Sequence, residues 1–197
     1  MNVLFFDTET TGLPDYRSPS EAPHQPHLVQ IAAELCDGTG ATIEAWQTIV
    51  KPDEGAQFHP QAISAHGITP ERAMSEGISL AEAWGRFISL VERADGIVGH
   101  NISFDLRIMR IASAKLGMPK WQSPVPNRCT MRMATPILNL PPTEKMIAAG
   151  FNKPKSPKLA DCIRFFFDEE MAGAHDAMND VAACKRVYFA IKERIKP

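Results

Sequence analysis

Asp7 and Glu9 stand two residues apart where the apolar run Val3-Leu4-Phe5-Phe6 ends. Alternate residues of a strand share a face, so the two carboxylates lie side by side, roughly 7 Å apart at the backbone. Like charges placed so repel and raise each other's pKa, and a bound cation is the usual relief. A second acid, Asp105, closes the stretch His100-Asn101-Ile102-Ser103-Phe104-Asp105. It falls in helical register with Ile102, Met109 and Ala112, on the stripe that should face the core. A carboxylate there is costly unless paired or bound to a cation, and Arg107 and Arg110 fall on other faces. The third station is His175-Asp176-Ala177-Met178-Asn179-Asp180. Asp180 flanks the apolar stripe of a last helix, beside Val181 and Cys184. His175 is five residues earlier, about 500° round a helix. It therefore belongs just before that helix, with Asp176 as the N-cap. Asp176 and Asp180 are i,i+4 neighbours, so Asp176 competes with Asp180 as a ligand.

Asp7, Glu9, Asp105 and Asp180, if they converge, make an all-oxygen site. Such a site suits Mg²⁺ or Mn²⁺ rather than zinc. Two such ions, roughly 3.5–4 Å apart, form the clamp of phosphodiester hydrolysis. One orients and activates water; the other stabilises the leaving oxygen. An imidazole titrates near neutrality, so His175 can take the proton from the attacking water.

These stations need elements to position them. Residues 3–7 read as a buried strand, and residues 14–26, with four prolines, as a loop. Leu28–Cys36 and residues 42–50 read as two strands joined by the turn Asp37-Gly38-Thr39-Gly40, a hairpin signal. Thr69-Pro70-Glu71 has the form of an N-cap with Pro at the first helical position. Ser79 caps a second helix whose stripe is Leu80, Trp84, Phe87 and Val91. Gly96–Gly99 is a short strand. Residues 102–116 have helical periodicity and stop at Gly117, with Pro119 beyond. A Pro-rich stretch and one or two helices follow. A terminal helix then carries Ala177, Val181, Cys184, Tyr188, Ile191 and Ile195. Three strands first and a strand–helix alternation after predict an α/β fold, a mixed central sheet flanked by helices.

The chain has 197 residues, 44% of them hydrophobic and 22% charged, which predicts one domain with a real core. The net charge of −2 carries no overall basic signature, but its distribution is uneven. Residues 106–164 hold eleven basic side chains against Glu144 and Asp161, a net of +9 that leaves −11 for the rest. A local positive surface beside an acidic pocket suits a polyanion held on metal ions, though solvated helix faces produce the same pattern. Lys153, Lys155 and Lys158 cluster in a Pro-containing stretch leading to a helix that should start near Pro157, and are candidate phosphate contacts. The four cysteines are far apart, with no C-x-x-C pair, which predicts reduced thiols. No signal-peptide pattern and no stretch of membrane-spanning length is present, so a cytoplasmic protein is expected.

The stretches "DTETTG", "HNISFD" and "HDAMND", in this order, resemble the three exonuclease motifs of the DEDDh family, within the ribonuclease H-like superfamily. That family includes the proofreading subunit of bacterial replicative polymerases, ribonuclease T and oligoribonuclease. The resemblance covers nearly the whole chain. It implies a ribonuclease H-like sheet, three antiparallel strands then parallel ones, and a 3′→5′ exonuclease using two divalent metals. Asp7, Glu9, Asp105 and Asp180 match the metal carboxylates, and His175 the general base. Thr8, Thr10 and Leu13 fall where the first motif holds the terminal nucleotide by backbone and apolar contact. Asn101 and Phe104 belong to the second motif. "AHGIT", residues 65–69, resembles a stretch of the proofreading branch, which would put His66 near the substrate; a loop residue before the Thr69 cap is the equal alternative.

Departures from the pattern qualify this. The loop after Gly12 is long and Pro-rich, enough to reshape the mouth of the site. The chain stops at Lys196-Pro197, without the tail by which the proofreading subunit holds its polymerase, which favours a stand-alone nuclease or a transient replication or repair partner. "QIAAEL", residues 30–35, reads as core strand rather than a clamp-binding peptide. The expected substrate is the 3′ end of single-stranded or frayed DNA. An RNA exonuclease of the same family, a non-catalytic nucleic-acid-binding module and a phosphatase on small nucleotides remain as alternatives.

Overall fold

The computed structural model describes residues 1–171, 173 and 175–194. Ile195, the last position of the predicted stripe, lies outside the described residues, as do Lys196 and Pro197. Five strands form one sheet in the order β3-β2-β1-β4-β5. β1 (Val3–Thr10), β2 (Leu28–Cys36) and β3 (Thr42–Ile49) are antiparallel neighbours. β4 (Gly96–Gly99) and β5 (Asn127–Cys129) run parallel to β1. This is the mixed ribonuclease H-like sheet that the resemblance implied.

β1 is hydrophobic on both faces because helices cover both. Its even residues, Leu4 and Phe6, enter the larger core with α3 (Leu80–Val91) and α4 (Ser103–Lys115). Its odd residues, Val3 and Phe5, pack against α8 (Ala177–Arg194) through Val181, Cys184 and Tyr188. Phe6 meets Phe87 at 5.0 Å between ring centroids, and Phe5 meets Tyr188 edge-on at 5.4 Å. Each such pair adds roughly 0.5–1.5 kcal/mol beyond the buried area. The same alternation puts Asp7 and Glu9 on the α8 side.

Several boundaries differ from those expected. β1 continues past Asp7 to Thr10, because β2 pairs with it along that whole length, Asp7 opposite Ala32 and Glu9 opposite Gln30. A helix absent from the expectation, α1 (Pro60–His66), runs from the His59 cap to Gly67 at φ +69°. It buries no residue, so it has no apolar stripe to betray it. Residues 127–129 form β5, too short and polar to read as a strand. Among the described residues three helices, not one or two, lie between α4 and α8: α5 (Thr130–Leu138), α6 (Glu144–Ala148) and α7 (Leu159–Phe167). α7 starts at Leu159, close to the expected Pro157, with Lys158 as its cap and the Lys158 N–H donating to Asp161. α2 (Pro70–Glu76) and α3 start at the expected caps, Thr69 and Ser79. Among the described residues no helix is long and apolar enough to cross a membrane.

The Pro-rich loop 14–26 is built rather than loose. The buried Gln25 amide donates to the carbonyls of Asp15 and Pro19 at 2.8 and 3.0 Å. Arg107 reaches from α4 to the carbonyls of Asp15 and Ser18 and to the Ser20 hydroxyl. Arg107 thus ties this loop to the helix that carries Asp105.

Candidate active site

The acids meet at the carboxyl end of the parallel strands. β4 pairs with β1 only as far as Phe5–Val98, so β1 overhangs its neighbour from Phe6 onward. Ligands of open α/β sheets bind in this kind of crevice. After Gly99 the chain turns through Asn101, at φ +63°, a conformation Asn tolerates, into α4. Asp105 lies in the first turn of α4 and is only 2% exposed. Its Oδ1 accepts from the Thr8 N–H at 3.0 Å and from the Thr8 hydroxyl at 2.7 Å. Thr8 points away from Asp7 and Glu9, so one strand supplies two carboxylates on one face and the anchor for a third on the other.

Asp180 comes from α8. Asp176 caps that helix, its Oδ1 accepting from the Met178 and Asn179 N–H groups at 3.2 Å each. This is the capping role expected of it. Gln30, opposite Glu9 on β2, pins the helix start: its Oε1 accepts from the Ala177 N–H at 3.3 Å and its Nε2 faces Asp176 at 3.5 Å. His175 stands just before α8 in the left-handed region, φ +68°, and is exposed. Glu9, His175 and Asp180 each offer a ligand atom, all within 4.8 Å of one another. His175 is therefore close enough to serve as ligand or as base.

The electrostatics are those of a site short of positive charge. Burial, then the charges of Asp105, Asp180 and Glu9, hold the Asp7 carboxyl well above the usual carboxylate range. Burial, then Asp180 and Asp105, push Glu9 up to about 8. Burial raises Asp105 to about 7, although its hydrogen bonds from Thr8 pull the other way. Asp180 is raised by burial and opposed by the charge of His175. Its Oδ1 is buried without a hydrogen-bond partner. A buried carboxylate oxygen without a partner, on an acid grouped with other raised acids, calls for an explanation, and a bound cation supplies one. The oxygen-rich donor set fits Mg²⁺ or Mn²⁺.

Beside Glu9 lies a cleft of about 390 Å³ lined by Thr10, Leu13, His66 and Phe104, within the size range of small-ligand sites. Leu13 is 85% exposed, an apolar side chain left open at its mouth. His66 ends α1 instead of lying in a loop. Its Nδ1 accepts from the Ile68 N–H at 3.0 Å, so Nε2 carries the proton and donates to the Thr10 carbonyl at 3.1 Å. Burial lowers its pKa, in keeping with a neutral ring. His66 thus holds the end of β1 and shows the cleft its ring, with both nitrogens engaged. The Thr8 N–H and hydroxyl are likewise already used, on Asp105. Asn101, Lys155 and Lys158 are not part of the cleft wall. Asn101 is exposed and its Oδ1 accepts from the Ser103 hydroxyl. Lys155 lies 4.0 Å from Asp161, and Lys158 caps α7. A larger cavity of about 650 Å³, lined in part by the Pro-rich loop, touches none of Asp7, Glu9, Asp105 and Asp180.

Two positioning residues escaped the sequence reading. Gln30 is one of two polar residues, with Glu34, in a mostly apolar buried strand, a signal that was available. His100 donates from Nε2 to the Pro157 carbonyl at 3.1 Å while Nδ1 faces the Thr130 hydroxyl at 3.0 Å. It anchors the basic stretch to the end of β4. Only the fold brings these segments together, so no local pattern marks it.

Residues 4–188 match the family model RNase_T, described as exonuclease. The chain is 28% identical over 137 residues to the PolC-type DNA polymerase III of Thermotoga maritima, matching 70% of this chain and 9% of that protein. Among solved structures, Escherichia coli exonuclease I in complex with a dA16 oligonucleotide superposes with a TM-score of 0.76 at 25% identity, over 98% of this chain and 41% of that one. The zinc-bound form of the same enzyme with single-stranded DNA gives a TM-score of 0.74 at 25% identity and the same coverage. The chain thus spans well under half the length of either relative. With its acids and histidine in the DEDDh order, Asp7, Glu9, Asp105, His175 and Asp180, the chain belongs to the exonuclease family.

Proposed function

We propose that this chain is a metal-dependent 3′→5′ exonuclease that removes nucleoside monophosphates from the 3′ end of DNA, with single-stranded or frayed ends preferred. The observation that carries this is the convergence of Glu9, His175 and Asp180, whose ligand atoms lie within 4.8 Å of one another, in a site where burial and mutual repulsion raise four acids and one Asp180 oxygen is buried without a partner. Asp7, Glu9, Asp105 and Asp180 would hold two divalent ions, Mg²⁺ or Mn²⁺. When bound, such ions polarise the phosphoryl oxygens and stabilise the leaving oxygen.

The chain's own groups do the rest. Leu13 and Phe104 supply apolar surface for the terminal nucleotide, and the cleft beside Glu9 sets its position. His175, solvent-facing and next to Asp180, accepts the proton of the attacking water. Water oxygen bonds to phosphorus, the P–O3′ bond breaks, the departing O3′ takes a proton from solvent, and the shortened strand keeps a 3′-hydroxyl. Lys155 and Lys158, held near the end of β4 through the Pro157 carbonyl, meet phosphates of the strand.

DNA is favoured over RNA because one relative is a DNA polymerase by name and the exonuclease I structures hold a dA16 oligonucleotide or single-stranded DNA. The polymerase likeness supports a transient replication or repair partner. The test gives the purified chain DNA and RNA strands of one sequence, with Mg²⁺, Mn²⁺, Ca²⁺ or excess EDTA, and separates the products. Mononucleotides from DNA with Mg²⁺ or Mn²⁺, and none with EDTA or Ca²⁺, are expected. Full activity in EDTA refutes the proposal; faster loss of RNA replaces DNA by RNA as substrate; loss of a terminal phosphate alone makes it a phosphatase.

A further inference from the structure

Residues 139–156 include no buried side chain, and α6 within them buries none. The segment adds nothing to the core, yet its backbone is firmly held. The Thr143 hydroxyl caps α6 by accepting from the Met146 N–H at 3.2 Å. At the other end Gly150 sits at φ +80°, its N–H donating to Ile147 and the Phe151 N–H to Met146 at 2.9 and 2.8 Å. This pair of bonds is the Schellman closure, in which the residue after the glycine usually packs back on the helix. Phe151 is instead 63% exposed, next to Ile147 at 53%. The Lys155 N–H closes the base of the arm on the Leu140 carbonyl at 3.0 Å. His100, which opens the motif ending in Asp105, ties that base to the acidic site through Pro157.

An aromatic ring on a fixed backbone, turned to water, costs little entropy to stack upon. Its surroundings are basic: Lys145, Lys153, Lys155 and Lys158 stand against Glu144 and against Asp161, which lies 4.0 Å from Lys155. Exposed aromatic surface among cations fits single-stranded nucleic acid, whose bases stack on rings and whose phosphates seek lysines.

We propose that this arm is a single-strand clamp. Phe151 stacks on a base upstream of the 3′-terminal nucleotide, and Lys145 and Lys153 neutralise the neighbouring phosphates. The placement upstream rests on the exonuclease reading; the affinity for a strand does not.

Fluorescence anisotropy of a long and a trinucleotide 5′-labelled oligothymidylate reads binding, and mononucleotide release from both reads turnover. Circular dichroism checks the variants, which should fold because the arm buries nothing. Phe151→Ala should weaken binding of the long strand by about 5- to 100-fold. Phe151→Trp should restore it, and trinucleotide turnover should stay at the wild-type level. Lys153→Ala should lower the slope of log affinity against log salt by about one. Wild-type affinity of Phe151→Ala for the long strand overturns the proposal, whatever the turnover. So does a change from dimer to monomer in light scattering with strand binding per chain unaltered, which makes the patch a protein contact. If the wild type degrades neither strand while Phe151→Ala still binds more weakly, the exonuclease reading fails and the clamp stands.

Discussion

Raising the pH of the metal-free protein from about 5 to about 8 should destabilise it, and Mg²⁺ should reverse the loss. Glu9 and Asp105 titrate near 8 and 7 in the folded chain, against ordinary values of 4.5 and 3.8. An acid whose folded pKa is raised binds its proton more tightly when folded. Its stabilising contribution is complete below the unfolded pKa and is lost as pH climbs through the folded one. The window is therefore about pH 4 to 8. One pH unit of displacement corresponds to ~1.4 kcal/mol, so Glu9 alone could contribute ~5 kcal/mol. Only part of that is lost between pH 5 and 8, and the acids share one repulsion that the first proton relieves, so the contributions do not add; we take about 4 kcal/mol for the cluster over this interval. At roughly 2–4 °C per kcal/mol for a chain of this size, the Tm should fall by about 10 °C. Thermal melts in EDTA at pH 5 and 8, repeated at pH 8 with Mg²⁺, measure this. Glu9→Gln should raise the metal-free Tm at pH 8 and shrink the metal response. Equal melting in EDTA at both pH values, together with no response to metal, would refute the electrostatic reasoning.

Further outcomes follow from individual side chains. His175→Ala should leave metal affinity intact while kcat falls by roughly 10²–10⁴-fold and the acid limb of the pH–rate profile disappears. Rescue by added Mn²⁺ would make His175 a ligand. Thr8→Val removes the 2.7 Å hydroxyl bond to Asp105 and leaves a buried carboxylate with one donor fewer, at a cost of about 1–3 kcal/mol; metal titration and melts should both register it, and an unchanged metal affinity would show that Asp105 needs no such support. Lys155→Ala with Lys158→Ala should raise KM and flatten its salt dependence with kcat little altered; an unchanged salt slope returns both to solvated faces.

The sequence carried the site further than it carried the elements around it. Asp105 was legible because a carboxylate on an apolar helical stripe is expensive, and the structure buries it. Its partner Thr8 was not, since the bond spans 97 residues and crosses from strand to helix. The hairpin β2–β3 and the caps Thr69 and Ser79 follow local chemistry and lie where it put them. α1, α6 and β5 are set by caps or by sheet pairing without an apolar stripe, so periodicity passed over them. His66 was weighed as a loop residue because α1 was missed; its two hydrogen bonds depend on the chain turning back onto Thr10.

The direction of strand degradation tests the catalytic assignment most directly. Wild type and Asp180→Asn are given a single strand labelled at its 5′ end, a copy blocked at its 3′ end, and a closed circle, all with Mg²⁺. Wild type should produce a descending ladder from the free strand and leave the blocked strand and the circle intact, while Asp180→Asn should be inert on all three. A ladder that begins at the 5′ end, cutting of the circle, or an Asp180→Asn protein that degrades the strand at the wild-type rate would contradict it.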